Sequence, residues 1–176
     1  MFLHKIAVNT EVFFMWNKIK PYLPTYIVAI AIPLTVGIIA AALTRDSMDI
    51  YGTLKTPPLS PPAILFPIVW SILYVLMGIS SAGVYSAREL NPASASLGLK
   101  YYAVSLALNF LWSIIFFRLS AALPALICLI FLLYYIIRTI IEYRKVKPWC
   151  AYLQIPYAVW VAFAGYLNVG IWLLNQ

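Results

Sequence analysis

Charge is what this sequence has least of. Charged side chains make up 10% of the 176 residues, whereas 64% are hydrophobic. A soluble domain usually has about 25% charged and about 45–50% apolar residues, because its surface must face water. A chain of this size with so few charges cannot build that surface, which excludes a water-soluble globular domain. Lipid is the solvent that the composition fits, and the length suits one domain.

The few charges leave long stretches of the chain uncharged. These windows are Pro21–Thr44, Thr56–Ala87, Tyr101–Phe117, Leu119–Ile137 and Pro148–Gln176. A helix needs about 20 largely apolar residues to cross a bilayer, and the windows do not alternate apolar with polar residues as barrel strands do. The predicted helices are 22–44, 63–87, 98–118, 121–143 and 149–174. The predicted fold class is therefore an all-α integral membrane protein, a five-transmembrane-helix bundle in residues 21–176.

Residues 1–20 form an N-terminal extension that admits two interpretations. Bulky apolar residues such as Phe13 and Trp16 are interrupted by Lys5, Glu11 and Lys18. The segment is either an interfacial helix that lies on the membrane or a frayed, positively charged lead-in. The first predicted helix is longer than the apolar region of about 7–15 residues in a cleaved signal peptide, so we do not expect this segment to be one.

Ionisable side chains are missing from the middle of every predicted helix, which counts against an ion-coupled pump or channel. The single histidine, His4, lies in the N-terminal tail, so axial histidine ligation of a haem inside the bundle is excluded. Cys128 and Cys150 should lie at different depths and form neither a disulfide nor a metal site. No catalytic triad, carboxylate pair or phosphate-binding loop is visible. Glu142 and Arg138 are expected to form an ordinary helix-surface pair.

Lysine and arginine are distributed unequally between the two ends of the predicted helices. Nine lie in the N-terminus, the 88–100 loop and the 138–147 region, against Arg45, Lys55 and Arg118 on the other side. The positive-inside rule then predicts a cytoplasmic N-terminus in a bacterial plasma membrane. The net charge of +7 follows from this bias and from anionic membrane lipids. It is not evidence for nucleic acid, because no basic stripe forms on a folded surface.

Aromatic and amide residues form stripes on three predicted helices. With spacings of three and four they are Pro67, Trp70, Tyr74 and Gly78 on the second helix, Asn109, Trp112, Ser113 and Phe116 on the third, and Tyr157, Trp160, Ala164 and Asn168 on the fifth. The amides should face the bundle interior, because an unpaired amide in hydrocarbon costs free energy. They either form interhelical hydrogen bonds or anchor a ligand in a shared aromatic cavity.

The segment Tyr51–Pro62 resembles the first-loop signature Trp-Tyr-x-x-Leu-x-Lys-Pro-x-Trp-x-Pro-Pro of the translocator protein family, also called tryptophan-rich sensory proteins or peripheral-type benzodiazepine receptors. The helical stripes match the family's motifs in order, from about Pro33 to Trp172. Ile50 and Leu59 stand where the family has its loop tryptophans. The resemblance is to a bacterial-type member.

This resemblance implies a cavity under the first loop that binds porphyrins and related hydrophobic ligands, with no required cofactor. The residues that match the family's pocket are Tyr51, Trp70, Tyr74, Asn109, Trp112, Ser113, Trp160 and Ala164. It also implies a possible homodimer through helix three, where Ala103 and Ala107 would permit close approach. Three functions stay open: a protein that senses or transports tetrapyrroles, a light- and oxygen-dependent enzyme that degrades protoporphyrin, and a stress-response membrane adaptor.

Overall fold

The computed structural model describes residues 22–45 and 54–176 and contains five helices long and apolar enough to cross a membrane. The helices are α1 (Leu23–Thr44), α2 (Leu65–Ser86), α3 (Pro92–Ser113), α4 (Ala122–Val146) and α5 (Ile155–Leu174). A one-turn helix, Pro148–Tyr152, precedes α5 and belongs to the same span. The predicted fold class is confirmed. Tyr51 and the extension 1–20 lie outside the described residues.

The third helix begins at Pro92 rather than near residue 98 as predicted. Asn91 caps it, because its side-chain oxygen accepts a hydrogen bond of 3.2 Å from the backbone N–H of Ser94. Proline suits the first helical position because its fixed φ is helical and its missing N–H is not needed there. The Asn-Pro pair was therefore a start signal, and it shortens the connection from α2 to the turn around Arg88–Leu90.

A π-helical turn, Ile114–Arg118, continues α3 at its end. The wider turn is closed by a bond of 3.1 Å from the N–H of Leu119 to the carbonyl of Ile114. Ser120 then adopts a positive φ of 49° and reverses the chain into α4. Such insertions rotate the side chains that follow them. Phe116 and Phe117 take their positions in the bundle from this turn.

The last span is interrupted between Tyr152 and Ile155, close to Pro156. Proline removes one helical hydrogen bond and crowds the preceding turn, which favours a break there. Gln154 is buried at the break, and its amide donates to the Ser80 hydroxyl at 3.2 Å. Ser80 in turn donates to the Cys150 carbonyl at 2.7 Å. These bonds join the break to the C-terminal half of α2.

The helices form a ring in the order α1, α2, α5, α4, α3. The most extensive packing is α3 on α4, then α1 on α2 and α4 on α5, while α2 meets α5 only lightly. Residues such as Met77, Leu132 and Ile136 fill the interior, whereas Ile27 and Val159 are more than half exposed on the outside. An apolar exterior of this kind faces lipid in an integral membrane protein.

The predicted pair of Glu142 with Arg138 is wrong. Glu142 is buried and accepts a hydrogen bond of 2.8 Å from the Lys145 ammonium, which lies one turn closer to the helix end. Arg138 instead turns the other way, toward Tyr134 and Tyr101.

The two cysteines are both buried and free.

Candidate ligand-binding site

A cavity of about 260 Å³ lies between α1, α2 and α3, at the end of the bundle where α1 ends and α2 begins. We call it the aromatic cavity. Its wall consists of Leu34, Gly37, Ile38, Ala40, Ala41, Thr44, Phe66, Pro67, Trp70, Ser71, Tyr74, Trp112, Ser113 and Phe117. No residue in this set carries a charge, an imidazole or a thiol. The wall is therefore apolar, with a few hydroxyl and indole groups.

Aromatic rings make up the wall on α2 and α3. Trp70 stacks on Tyr74 with ring centroids 5.5 Å apart, and its ring lies 6.3 Å from that of Trp112. Trp112 stacks in turn on Phe116 at 5.5 Å and 19° between planes. Offset stacking of this type fixes rings by their quadrupoles as well as by burial. The two stripes predicted on these helices thus meet in one continuous aromatic surface.

Small residues make up most of the α1 side of the cavity, beside Leu34 and Ile38. A Cβ on Gly37 would collide with the Tyr74 ring, so glycine is what lets α1 approach that ring. Ala40, Ala41 and Thr44 continue the small surface for two turns. The helix itself was predicted at 22–44, but none of its residues was among the predicted pocket residues. The signal was present in the spacing of Pro33, Gly37, Ala40 and Thr44 along one face.

Asn109 lies behind this wall rather than on it. Its side chain is 1% exposed, and neither amide atom has a hydrogen-bond partner in the described part of the chain. The hydroxyls of Tyr74 and Tyr157 lie close to this amide. One turn above, the Ser113 hydroxyl donates to the Asn109 carbonyl at 3.2 Å. Asn109 therefore places unused polar capacity directly beneath the cavity.

Trp160 and Ala164 lie outside the wall. The Trp160 ring packs edge-on against Phe66 at 6.0 Å and is tilted against Phe163 at 5.7 Å, and Ala164 is 5% exposed. The α5 stripe contributes no residue to this wall, and its Tyr157 ring packs edge-on against Trp70 at 6.1 Å, one ring behind the cavity. Of the eight predicted residues, the structure brings four together on the wall: Trp70, Tyr74, Trp112 and Ser113.

The connection from α1 to α2 is fastened to α5. Asn175 accepts from the Lys55 N–H at 3.0 Å and donates to the Lys55 carbonyl at 2.9 Å, so one amide holds both backbone groups. The Tyr166 hydroxyl donates to the Pro58 carbonyl at 2.8 Å. Leu59 follows with a φ of 66°, a conformation that costs a non-glycine residue about 1–2 kcal/mol. The described part of this connection, from residue 54 on, is thus fastened to the last span.

A second cavity of about 440 Å³ lies beside this loop, and we call it the outer cavity. Its wall includes Leu54, Phe117, Ile171, Trp172 and Asn175. Phe117 belongs to both cavities and separates them. Trp172, which its place near a helix end would assign to the membrane interface, lies instead in this wall.

Gly170→Ala is expected to lift the loop from α5. The added Cβ would come within 2.5 Å of the Pro57 ring, which cannot bend away. Hydrogen exchange at the Lys55 and Ser60 amides should therefore become faster. Gly165→Ala is the matched control on the same helix, because its Cβ meets nothing within 4 Å. It should leave that exchange unchanged and gain up to about 1 kcal/mol of helix propensity. Equal protection in both variants would contradict the fastening.

The fold and the cavity define a class of protein: a polytopic helical membrane protein with an aromatic cavity beside a loop that is fastened to the last helix. The sequence model of the TspO/MBR family matches residues 29–173. The chain therefore belongs to the TspO/MBR family.

Individual relatives support this assignment along most of the chain. Protein CrtK of Rhodobacter capsulatus is 39% identical over 125 residues, which cover 71% of this chain and 78% of that protein. Tryptophan-rich protein TspO of Chlorobaculum tepidum is 34% identical over 156 residues, 86% of this chain and 96% of its own length. The translocator protein of Bos taurus is 33% identical over 141 residues, 80% and 83% of the two chains.

Proposed function

We propose that this chain binds porphyrins and related hydrophobic ligands in the aromatic cavity and acts in tetrapyrrole sensing or transport. The observation that supports the proposal most is the continuous ring surface of Trp70, Tyr74 and Trp112. A flat, apolar ligand gains most from such a surface, through stacking and through removal of its faces from water. Some relatives carry names that fit this role, including "translocator protein" and "tryptophan-rich sensory protein".

The size of the ligand requires both cavities. Sites for drug-sized molecules usually measure about 300–1,000 Å³, and the aromatic cavity alone has about 260 Å³. In this proposal Phe117 turns aside and joins it to the outer cavity of about 440 Å³. The macrocycle then lies on the rings of α2 and α3, and its polar edge reaches toward Asn175.

Metal-free protoporphyrin is expected to bind about as tightly as haem. The wall offers stacking surface but no imidazole or thiol to coordinate iron. The Cys128 thiol is turned to the Leu108 carbonyl at 3.4 Å and is not part of the wall. Titration of the purified protein with each porphyrin, followed by tryptophan quenching, measures both affinities. A strong preference for haem that disappears in Cys128→Ala would contradict this mode of binding.

Illumination of the porphyrin-loaded protein separates a binding protein from a degrading enzyme. A degrading enzyme would bleach bound protoporphyrin in light and oxygen and would leave it intact in darkness. A binding protein would show the same slow photobleaching as a Trp70→Ala variant loaded at saturating porphyrin. An adaptor with an incidental ligand would leave porphyrin efflux from cells unchanged when its gene is deleted.

We also propose that the protein lies in a bacterial plasma membrane with its N-terminus in the cytoplasm. With five spans, nine lysine and arginine residues lie on the side of the membrane that holds the N-terminus, and three lie on the opposite side. A reporter fused after Gln176 is expected to be active only outside the cytoplasm. Cytoplasmic activity of that fusion would reverse the orientation.

Dimerisation through α3 is part of the proposal. Ala103 and Ala107 are exposed and lie in a shallow groove with Val36 and Ile39 of α1. Small residues four apart allow two helices to approach closely. Cross-linking of an Ala103→Cys variant in membranes should yield a dimer, whereas Val159→Cys on the exposed face of α5 should not.

A further inference from the structure

Arg138 is a charged residue on α4, and no acidic side chain among the described residues lies within ion-pair distance of it. Within the described ranges its two terminal nitrogens approach tyrosine hydroxyls alone, Tyr134 at 3.4 Å and Tyr101 at 3.3 Å, which are long for hydrogen bonds. Its Nε is buried and has no partner in the described part of the chain. A guanidinium carries five N–H donors in a planar fork. Most of the donor capacity of Arg138 is therefore unused by the protein.

The position of Arg138 along the membrane follows from the uncharged windows. On α3 the uncharged stretch runs between Lys100 and Arg118, and on α4 it runs between Arg118 and Arg138. The first stretch spans about 25 Å at 1.5 Å per residue, close to the thickness of the hydrocarbon core. Lys100 is exposed, and Tyr101 beside it contacts Arg138. Lys100 and Arg138 thus mark one level, the boundary between hydrocarbon and headgroups.

The charges around Arg138 leave an excess of positive charge. Glu142 lies one turn beyond it but is already bonded to Lys145 at 2.8 Å. Arg138, Lys145 and Glu142 together carry a net charge of +1. The Arg138 guanidinium also lies 5.2 Å from the centre of the Tyr101 ring and 6.0 Å from that of Tyr134. These rings hold the fork in place from two sides without neutralising it.

An apolar track leads away from this fork toward the bilayer centre. On α4 the outward residues Tyr134, Phe131 and Ile127 are each about half exposed, at 51%, 56% and 51%, and follow one another at spacings of three and four. Val104 continues the outward face of α3 beside Tyr101. An acyl chain can lie along this surface, below a charged group at the boundary.

We propose that Arg138, Tyr101 and Tyr134 form a binding site for the headgroup of an anionic phospholipid, at the seam between α3 and α4. The phosphodiester accepts hydrogen bonds from the guanidinium fork, whose planar donors match phosphate oxygens. The tyrosine hydroxyls contact the same headgroup, and the acyl chains follow Phe131 and Ile127. Basic pockets between membrane helices recognise anionic lipids in this way. The site is separate from the aromatic cavity and does not depend on the porphyrin proposal.

The test uses the full-length protein in detergent with equal amounts of phosphatidylglycerol and phosphatidylcholine, with retained lipid counted by native mass spectrometry. The parent protein should retain phosphatidylglycerol preferentially. Arg138→Gln should reduce that preference about five- to tenfold, the effect of about one basic contact with an anionic lipid. Arg144→Gln is the matched control, because Arg144 is exposed on the same helix and lies outside the tyrosine pair. It should leave the preference unchanged.

A second variant keeps the proposal testable if Arg138→Gln fails to fold. Tyr134→Glu changes an exposed residue and places a carboxylate beside the intact arginine, which should abolish the preference. Tyr152→Glu, exposed to a similar degree at 57%, should not. Equal losses in Arg138→Gln and Arg144→Gln would reduce the effect to general surface charge and overturn the proposal. Displacement of phosphatidylglycerol by inorganic phosphate at millimolar concentration would also overturn it, since the site would then recognise an anion rather than a lipid.

Discussion

Trp70→Ala is expected to weaken protoporphyrin binding at least tenfold. Trp70 lies at the centre of the ring surface, in contact with Tyr74, Trp112 and Tyr157 at centroid distances of 5.5, 6.3 and 6.1 Å. Truncation of a buried aromatic anchor often costs about 2 kcal/mol or more. The change removes stacking area from the ligand and support from three neighbouring rings. Tryptophan quenching is unsuitable for this variant, so porphyrin absorbance or fluorescence should be titrated instead.

A cavity-filling variant tests the same surface without removing any ring. Ala41 is exposed and belongs to the wall of the aromatic cavity, whereas its neighbour Ala42 is exposed and does not. Ala41→Leu should therefore exclude the ligand, and Ala42→Leu should leave binding unchanged. Both substitutions keep good helix propensity, so the two variants should be equally stable. Similar binding by both would contradict the location of the site.

Trp149→Ala supplies the aromatic control. Trp149 is 38% exposed near the start of the last span, and the Lys147 ammonium lies 5.5 Å from the centre of its ring. It is on no wall of either cavity, so its loss should leave porphyrin affinity close to that of the parent. If Trp149→Ala weakens binding while Trp70→Ala does not, the aromatic cavity is not the site.

The helices could be predicted because the positions of apolar and charged residues in the sequence decide which segments can enter a bilayer. A bilayer accepts only long apolar segments whose backbone bonds are internal, so the uncharged windows fix the number of spans. Local chemistry decided the details that differ. Asn91 and Pro92 extend α3, and the break near Pro156 divides the last span. The first of these was readable from cap chemistry. The π-helical turn at Ile114–Arg118 has no comparable sequence signal.

For the site, the sequence could predict which residues share a face of one helix, but not how the helices pack against each other. Spacing places Trp70 with Tyr74 on one face and Asn109 with Trp112 on another, but it does not say which faces meet. The stripe that includes Trp160 has the same pattern but contributes no residue to the wall, because the cavity lies between α1, α2 and α3. The α1 wall was missed because residues such as Gly37 and Ala41 contribute space rather than chemical groups.

Asn109→Leu is expected to change stability and binding in opposite directions. The Asn109 amide is buried and unpaired in the described part of the chain. A polar group in that state costs about 1–3 kcal/mol, and leucine has a similar size without the polar atoms. The variant should therefore unfold later in heat or denaturing detergent than the parent. It should also bind porphyrin about five- to thirtyfold more weakly, because in the proposed complex the Asn109 amide supports the Tyr74 hydroxyl with a hydrogen bond worth about 1–2 kcal/mol, which leucine cannot supply.

Asn168→Leu separates the two effects. Asn168 on α5 is also 1% exposed, and both of its amide atoms are likewise unpaired among the described residues. It belongs to the wall of neither cavity. The substitution should thus stabilise the protein by a similar amount and leave porphyrin affinity unchanged. Destabilisation by Asn109→Leu would mean that the amide acts as a structural bond between helices. Equal effects of the two variants on binding would mean that Asn109 gives the cavity no support that Asn168 does not also give.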